Sequence, residues 1–233
     1  MENKFKLKNI ILVTVIFFCY EIGSFYYKGY LAEQELLSVP TFKLIKKHYP
    51  LEYEELLRVA AMVKRNETSL EYFENHVKLT ITPVYRELQS QSPYYASEDE
   101  IFKYYETLKK ITESLNPESC YNFFKPNVDK KSKYLNEELK VEFLEVQSEI
   151  FNSLYSSIKK VEIINEEVMK SEIQKTIIKI AKEDQKFNLD GFNKTEPSNF
   201  EMEQMCLFYN KLYTVMLDNN QVDLLRYNLV NPL

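Results

Sequence analysis

Histidine, cysteine and carboxylate side chains carry much of protein chemistry, and this chain is sparing with the first two. His48 and His76 are its only histidines. Zinc sites need nitrogen or sulfur ligands at close spacing, as in H-E-x-x-H or C-x-x-C, and neither pattern occurs. A four-helix carboxylate metal site would use Glu-x-x-His twice, and the chain has it nowhere. His48, in "LIKKHYP", stands beside lysines and a proline, which suits a surface or a helix end. His76 follows Glu74 by two positions, so a helix would put the two on different faces and not in a dyad.

Carboxylates are abundant, for example Glu52 and Glu55 in "LEYEELL" and Glu166 and Glu167 in "NEEV". Paired acids could serve glycoside hydrolysis at the right separation. Here they alternate with lysines on faces expected to be solvated. Phosphate cradles need glycine-rich loops, and Gly23, Gly29 and Gly191 are too scattered to build one. A G-x-S-x-G elbow is absent too. No catalytic, cofactor-binding or metal-ligating residue is assigned.

Cysteine chemistry depends on compartment, and the opening residues bear on that. Lys4, Lys6 and Lys8 precede "IILVTVIFFCY", an uncharged run from Ile10 to Tyr20. Extended to Tyr27, the 18-residue segment would rise roughly 27 Å as a helix, near the roughly 30 Å of bilayer hydrocarbon. Tyr20, Phe25, Tyr26 and Tyr27 fall where an interfacial aromatic belt would lie. The lysine bias places residues 1–9 in the cytoplasm and everything after the span outside. A signal peptidase would have to cut after Ser24 with bulky Ile22 at a position that prefers small residues. Phe17 and Phe18 before Cys19 also argue against a lipoprotein site. The reading is an uncleaved single-pass anchor over residues 10–27, with a cleaved signal and a buried soluble helix as its rivals. Residues 28–40 are then a tether, and 41–233 an extracytoplasmic helical domain, periplasmic if the membrane is a bacterial inner membrane.

With Cys19 in the membrane, Cys120 and Cys206 remain, and an oxidising compartment favours their joining. Such a long loop, once closed, would stabilise by up to about 4–5 kcal/mol in the chain-entropy model. Two separate buried thiols are the alternative.

The chain has 30 Lys and Arg against 35 Asp and Glu. Residues 1–28 hold four lysines and two glutamates, leaving 26 against 33, or −7. An acidic surface disfavours nucleic acid. The dense basic run "KPNVDKKSK", Lys125 to Lys133, reads as a solvated loop.

Three glycines and no tryptophan point to helices joined by short connections, because hairpin turns usually want glycine at positive φ. Periodicity agrees, and the fold class is all-α: a membrane-spanning or signal helix followed by a single irregular multi-helix bundle. Pro50 opens a helix with Tyr53, Leu56, Leu57, Ala60 and Val63 on one face. Thr68 and Glu71 have capping-box spacing before a stripe of Leu70, Phe73, Val77, Ile81, Val84 and Leu88, with Pro83 set to kink or split it. Ser97 and Glu100 cap a helix carrying Ile101, Tyr105, Leu108, Ile111 and Leu115. A short turn holds Cys120, and a long helix from about Asn136 to Glu162 turns Leu139, Phe143, Ile150, Leu154, Ile158 and Val161 inward. Another begins near Glu166 with Met169, Ile173, Ile177 and Ile180. "LDGFNKTEPSN" is a loop. The last large helix groups Met202, Met205, Cys206, Tyr209, Leu212, Tyr213 and Met216, and "QVDLLRYNL" adds a short terminal one.

Eighteen tyrosines and 15 phenylalanines stand out. Tyrosine suits partner surfaces, having an apolar body and a polar tip. Tyr94, Tyr95, Phe123 and Phe124 are therefore the expected partner surface, in a loop and beside Cys120. Two sequons, at Asn66 and Asn193, would matter in a eukaryotic secretory pathway, while the Lys-, Asn- and Ile-rich usage leans bacterial. The expected role is that of a membrane-anchored, non-enzymatic helical protein working through protein contacts, as a toxin-neutralising partner or an envelope-assembly accessory. An enzyme whose acids converge only in three dimensions is one alternative. A receptor for an apolar ligand lined by Met202, Met205 and Met216 is another.

Overall fold

A computed structural model describes residues 24–124, 134–161, 166–183 and 197–231. The basic run Lys125–Lys133, the sequon at Asn193 and all but the last four residues of the expected span 10–27 lie outside these. The described residues are helical, with no strand among them. No helix among them is long and apolar enough to cross a membrane. The contacts divide the chain into two compact units, Met1–Tyr85 and Arg86–Leu233.

Unit 1 contains helix α1 (24–37), α2 (Pro40–His48), α3 (Pro50–Lys64) and most of α4 (Leu70–Gln91). The stretch expected as a tether, 28–40, is helical through residue 37, because Ala32 and Leu36, one turn apart, are both buried. Glu33 pairs with Lys46 of α2 at 2.6 Å, and Glu35 pairs with Lys64 of α3. Pro40 and Pro50 each open a helix at positions whose N–H groups would find no intrahelical partner. The buried stripe of α3 is Tyr53, Leu56, Val59 and Ala61. Leu57, Ala60 and Val63 are half-buried on its flank.

α4 starts one residue later than its Thr68–Glu71 spacing suggests, because Ser69 Oγ accepts the Tyr72 N–H at 3.1 Å. Its inward stripe settles at Ile81, Val84 and Leu88, while Leu70 is exposed. Pro83 does not split it: the helix is continuous from Leu70 to Gln91. Pro83 is itself exposed, and so is Leu79, four residues before it, so water can take the carbonyl that the ring leaves without a donor.

Unit 2 follows with a 3-10 turn (Ser92–Tyr94), α5 (Glu98–Ser114), α6 (Pro117–Phe124), α7 (Glu137–Ser156), α8 (Glu166–Glu183), α9 (Asn199–Asp218) and α10 (Val222–Val230). α5 is the central helix, packing against α7, α9 and α10. Packing on several sides is why both Tyr104 and Tyr105 are buried, where a helix with one buried face would hide only one of a doublet. Lys103–Glu149 and Lys110–Glu142, each at 2.6 Å, tie α5 to α7 along their exposed edge.

The expected capping box of Ser97 and Glu100 is complete, and Ser198 with Glu201 forms a second one at the start of α9. α7 stops at Ser156, six residues short of the expected end. The Val161 N–H donates to the Tyr94 carbonyl at 2.7 Å instead of continuing the helical ladder. Ile158, expected inside, is consequently fully exposed.

Two polar groups are committed deep in the core. The Tyr105 hydroxyl donates to the Leu225 carbonyl at 2.9 Å and accepts from Asn228 Nδ2 at 3.1 Å. Arg226 is 1 % exposed, and its Nη1 donates to the carbonyls of Pro93 and Ala96. The guanidinium therefore closes the turn that precedes α5. Burying it lowers its pKa, because desolvation disfavours the charged form.

Candidate functional site

Cys120 and Cys206 meet as expected. They are joined as a disulfide between α6 and α9, with Cα atoms 6.1 Å apart, in surroundings that leave Cys120 fully buried. Pro117 starts α6 after Asn116, whose Oδ1 accepts the Ser119 N–H at 2.9 Å, and α6 then packs along α9. That packing brings together cysteines separated by 86 positions.

Of the four aromatic residues expected on a partner surface, Phe123 is buried and Tyr94, Tyr95 and Phe124 are half-buried. Phe123 is 1 % exposed, with its ring centroid 5.3 Å from Phe143 and 4.9 Å from Phe124. Phe124 stacks on Tyr209 at 4.6 Å, and Tyr209 continues to Tyr213. These rings fill the space around the disulfide. Tyr94 and Tyr95 are half-buried; Lys160 Nζ lies 5.1 Å from the centre of the Tyr94 ring, and the Val161 N–H bonds to the Tyr94 carbonyl. A doublet in sequence carries no information about which neighbour will cover it, and here α7 and its following segment do.

The methionines expected to line a ligand cavity are divided as well. Met205 and Met216 are buried and Met202 is half-buried, so two of the three fill the core of unit 2. A cavity of about 20 Å³ bounded by Gln89, Tyr104, Gln147, Ile150, Phe151 and Leu229 has room for about one water and not for a metabolite. Among the described residues, no cluster of three or more His, Cys, Asp or Glu could hold a metal ion.

One ionisable cluster was not legible in the spacing. His76 Nε2 lies 3.2 Å from Glu55 Oε1, and Glu55 is also held by Arg58 through Nε at 2.8 Å and Nη2 at 2.6 Å. Thr80 Oγ1 is 3.3 Å from the same imidazole nitrogen, and Tyr72 stacks on the ring. Arg58, through its hydrogen bonds, holds the Glu55 carboxyl below its ordinary range. The His76–Glu55 contact joins α3 to α4. His76 and Glu55 are 21 positions apart on different helices, and no local pattern announces such a meeting.

Four aromatic residues at the start of α1 are exposed in unit 1. Phe25, Tyr26, Tyr27 and Tyr30 are 50, 72, 62 and 57 % exposed. Phe25 shares the face of Ala32 and Leu36 and is met by Arg65, whose guanidinium carbon is 4.0 Å from the ring centre. Tyr26, Tyr27 and Tyr30 point to other faces. Tyr30 was expected in the tether, and the helix places it one turn beyond Tyr26 on the same side.

No protein-family model, curated protein or solved structure matches the chain.

Proposed function

We propose that this chain is a helical protein-binding module held by its N-terminal segment on the outer face of a membrane. The observation that carries the reading is the buried Cys120–Cys206 disulfide, because such links persist in oxidising compartments and are rare in the cytosol. The lysine-led apolar opening supplies a route to that compartment. Contact with another protein is supported by apolar side chains left outside in unit 2. Phe200 and Leu207 are 60 and 49 % exposed and stand seven residues apart on α9, hence on one face. They replace Phe123 and Phe124 as the surface to test. A toxin-neutralising partner and an envelope-assembly accessory both fit such a module.

Topology and contact can be tested in one strain. A C-terminal alkaline phosphatase fusion, active only after export, is expected to be active and to sediment with membranes. A photoreactive residue at position 207 is expected to give one discrete protein adduct, weakened by Phe200→Glu. Activity confined to a cytosolic reporter, with the chain in the soluble fraction, would reject the compartment. An exported chain that gives no adduct from position 207 would reject the contact surface.

A further inference from the structure

We infer that the corner joining α3 to α4 rests on phospholipid headgroups beside α1, with Tyr26, Tyr27 and Tyr30 in the interfacial layer and Lys28 toward lipid phosphate. The inference rests on the anchor reading above and says which part of unit 1 the membrane meets. A helix on a protein surface changes polarity around its circumference, with polar residues opposite the buried stripe. α1 instead changes along its axis. Opposite the Ala32–Leu36 stripe its first turns carry exposed tyrosines, and its next turn carries Glu33, Gln34 and Glu35.

The dimensions agree with a helix leaving a bilayer. Phe25 to Tyr30 is a rise of about 7.5 Å, against roughly 5–8 Å for one interfacial layer. Glu33 and Glu35 lie about 12–15 Å beyond Phe25, in water, where they pair with Lys46 and Lys64. Tyrosine is the side chain expected in the layer between, with its ring in the apolar zone and its hydroxyl among the headgroups. The apolar residues 10–20 stand on the Phe25 side of this gradient in sequence.

The corner is held at the depth of Phe25. Arg65 caps that ring while donating to Glu67 from Nε at 2.6 Å and from Nη2 at 3.0 Å. The Arg65 guanidinium, and more weakly Lys28, hold the Glu67 carboxyl below its usual range. Arg65 and Glu67 cancel, and Lys28 is balanced by the exposed Glu71 at the start of α4, so the corner meets the headgroup layer without net charge. Just past the corner Leu70, the first residue of α4, is 60 % exposed, while Tyr72 lies on another face of the helix and stacks on His76.

The chain contains no tryptophan, so a single introduced one reports its own position. Tyr26→Trp and Leu70→Trp would be made in the full chain and reconstituted in phosphatidylcholine–phosphatidylglycerol vesicles containing choline-nitroxide phosphatidylcholine. Both tryptophans are expected to lose half or more of their emission to the nitroxide and to be shielded from aqueous iodide. Leu70 is 60 % exposed, so Leu70→Trp is expected to fold as the native chain does. Quenching at position 26 while position 70 stays open to iodide overturns the inference and leaves the anchor standing. Position 70 shielded from both quenchers means that a second copy of the chain covers the corner, which also overturns it. A chain that stays soluble, with neither position quenched, removes the anchor reading and this inference together.

Discussion

Burial governs the tyrosines around the disulfide of unit 2. Burial pushes the Tyr209 hydroxyl up to about 12. Tyr105 and Tyr213 move in the same direction for the same main reason. A phenol with a folded pKa above its unfolded value near 10 keeps, in the native state, a proton that the unfolded chain gives up. Its contribution is whole below about pH 10 and is lost as the pH rises toward 12. Tyr209 alone withdraws about 2 kcal/mol by pH 12. Denaturant titrations at stepped pH should show a plateau and then a decline above pH 10, with a shallower decline in Tyr209→Phe. A variant with an unchanged slope would show that Tyr209 is not a contributor. The inward position of Tyr209 was readable from its place in the α9 stripe. Its stacking on Phe124 was not, because that ring comes from a helix about 85 positions away.

Among the helices, the local start signals carried over best. Ser97–Glu100 closes as its spacing requires, and Ser198–Glu201 does the same where the spacing had gone unremarked. Helix ends were less legible. With glycine so scarce, α3 and α9 end on asparagines at positive φ, Asn66 at 60° and Asn220 at 52°. The Glu67 N–H then reaches back to the Met62 carbonyl, and the Gln221 N–H to that of Met216. α7 ends at Ser156, and beyond it Val161 bonds to the distant Tyr94 carbonyl, a partner that no local rule anticipates. Pro83 gives the prediction at this scale. Pro83→Ala restores an N–H for the Leu79 carbonyl on an exposed face and should raise stability, by up to about 3 kcal/mol. A higher melting temperature of the full chain is the expected result. A lower one would show that the ring supports the helix by packing.

For the molecule as a whole, the disulfide is the strongest covalent constraint beyond the backbone. It closes 86 positions of chain, so its loss should lower the stability of unit 2 by about 3–5 kcal/mol. Cys120→Ala with Cys206→Ala, and the native chain under reductant, should lose a similar amount in denaturant unfolding. Non-reducing mass analysis after alkylation should find neither thiol modified in exported material. Two alkylated thiols in a fully stable protein would remove the link. Among the described residues, ion pairs such as Lys103–Glu149 are exposed and add at most about 1 kcal/mol each. They do not substitute for it.

The sequence by itself determined the helical class, the start of several helices, the apolar stripes of α5 and α9 and the second half of that of α4. Each of these depends on neighbours within a few turns, where spacing is already geometry. Which aromatic residues would be covered, where α7 would stop, and that His76 would meet Glu55 were decided only when distant helices packed. Burial is a property of the partner as much as of the residue, and a linear pattern names only one side of the contact.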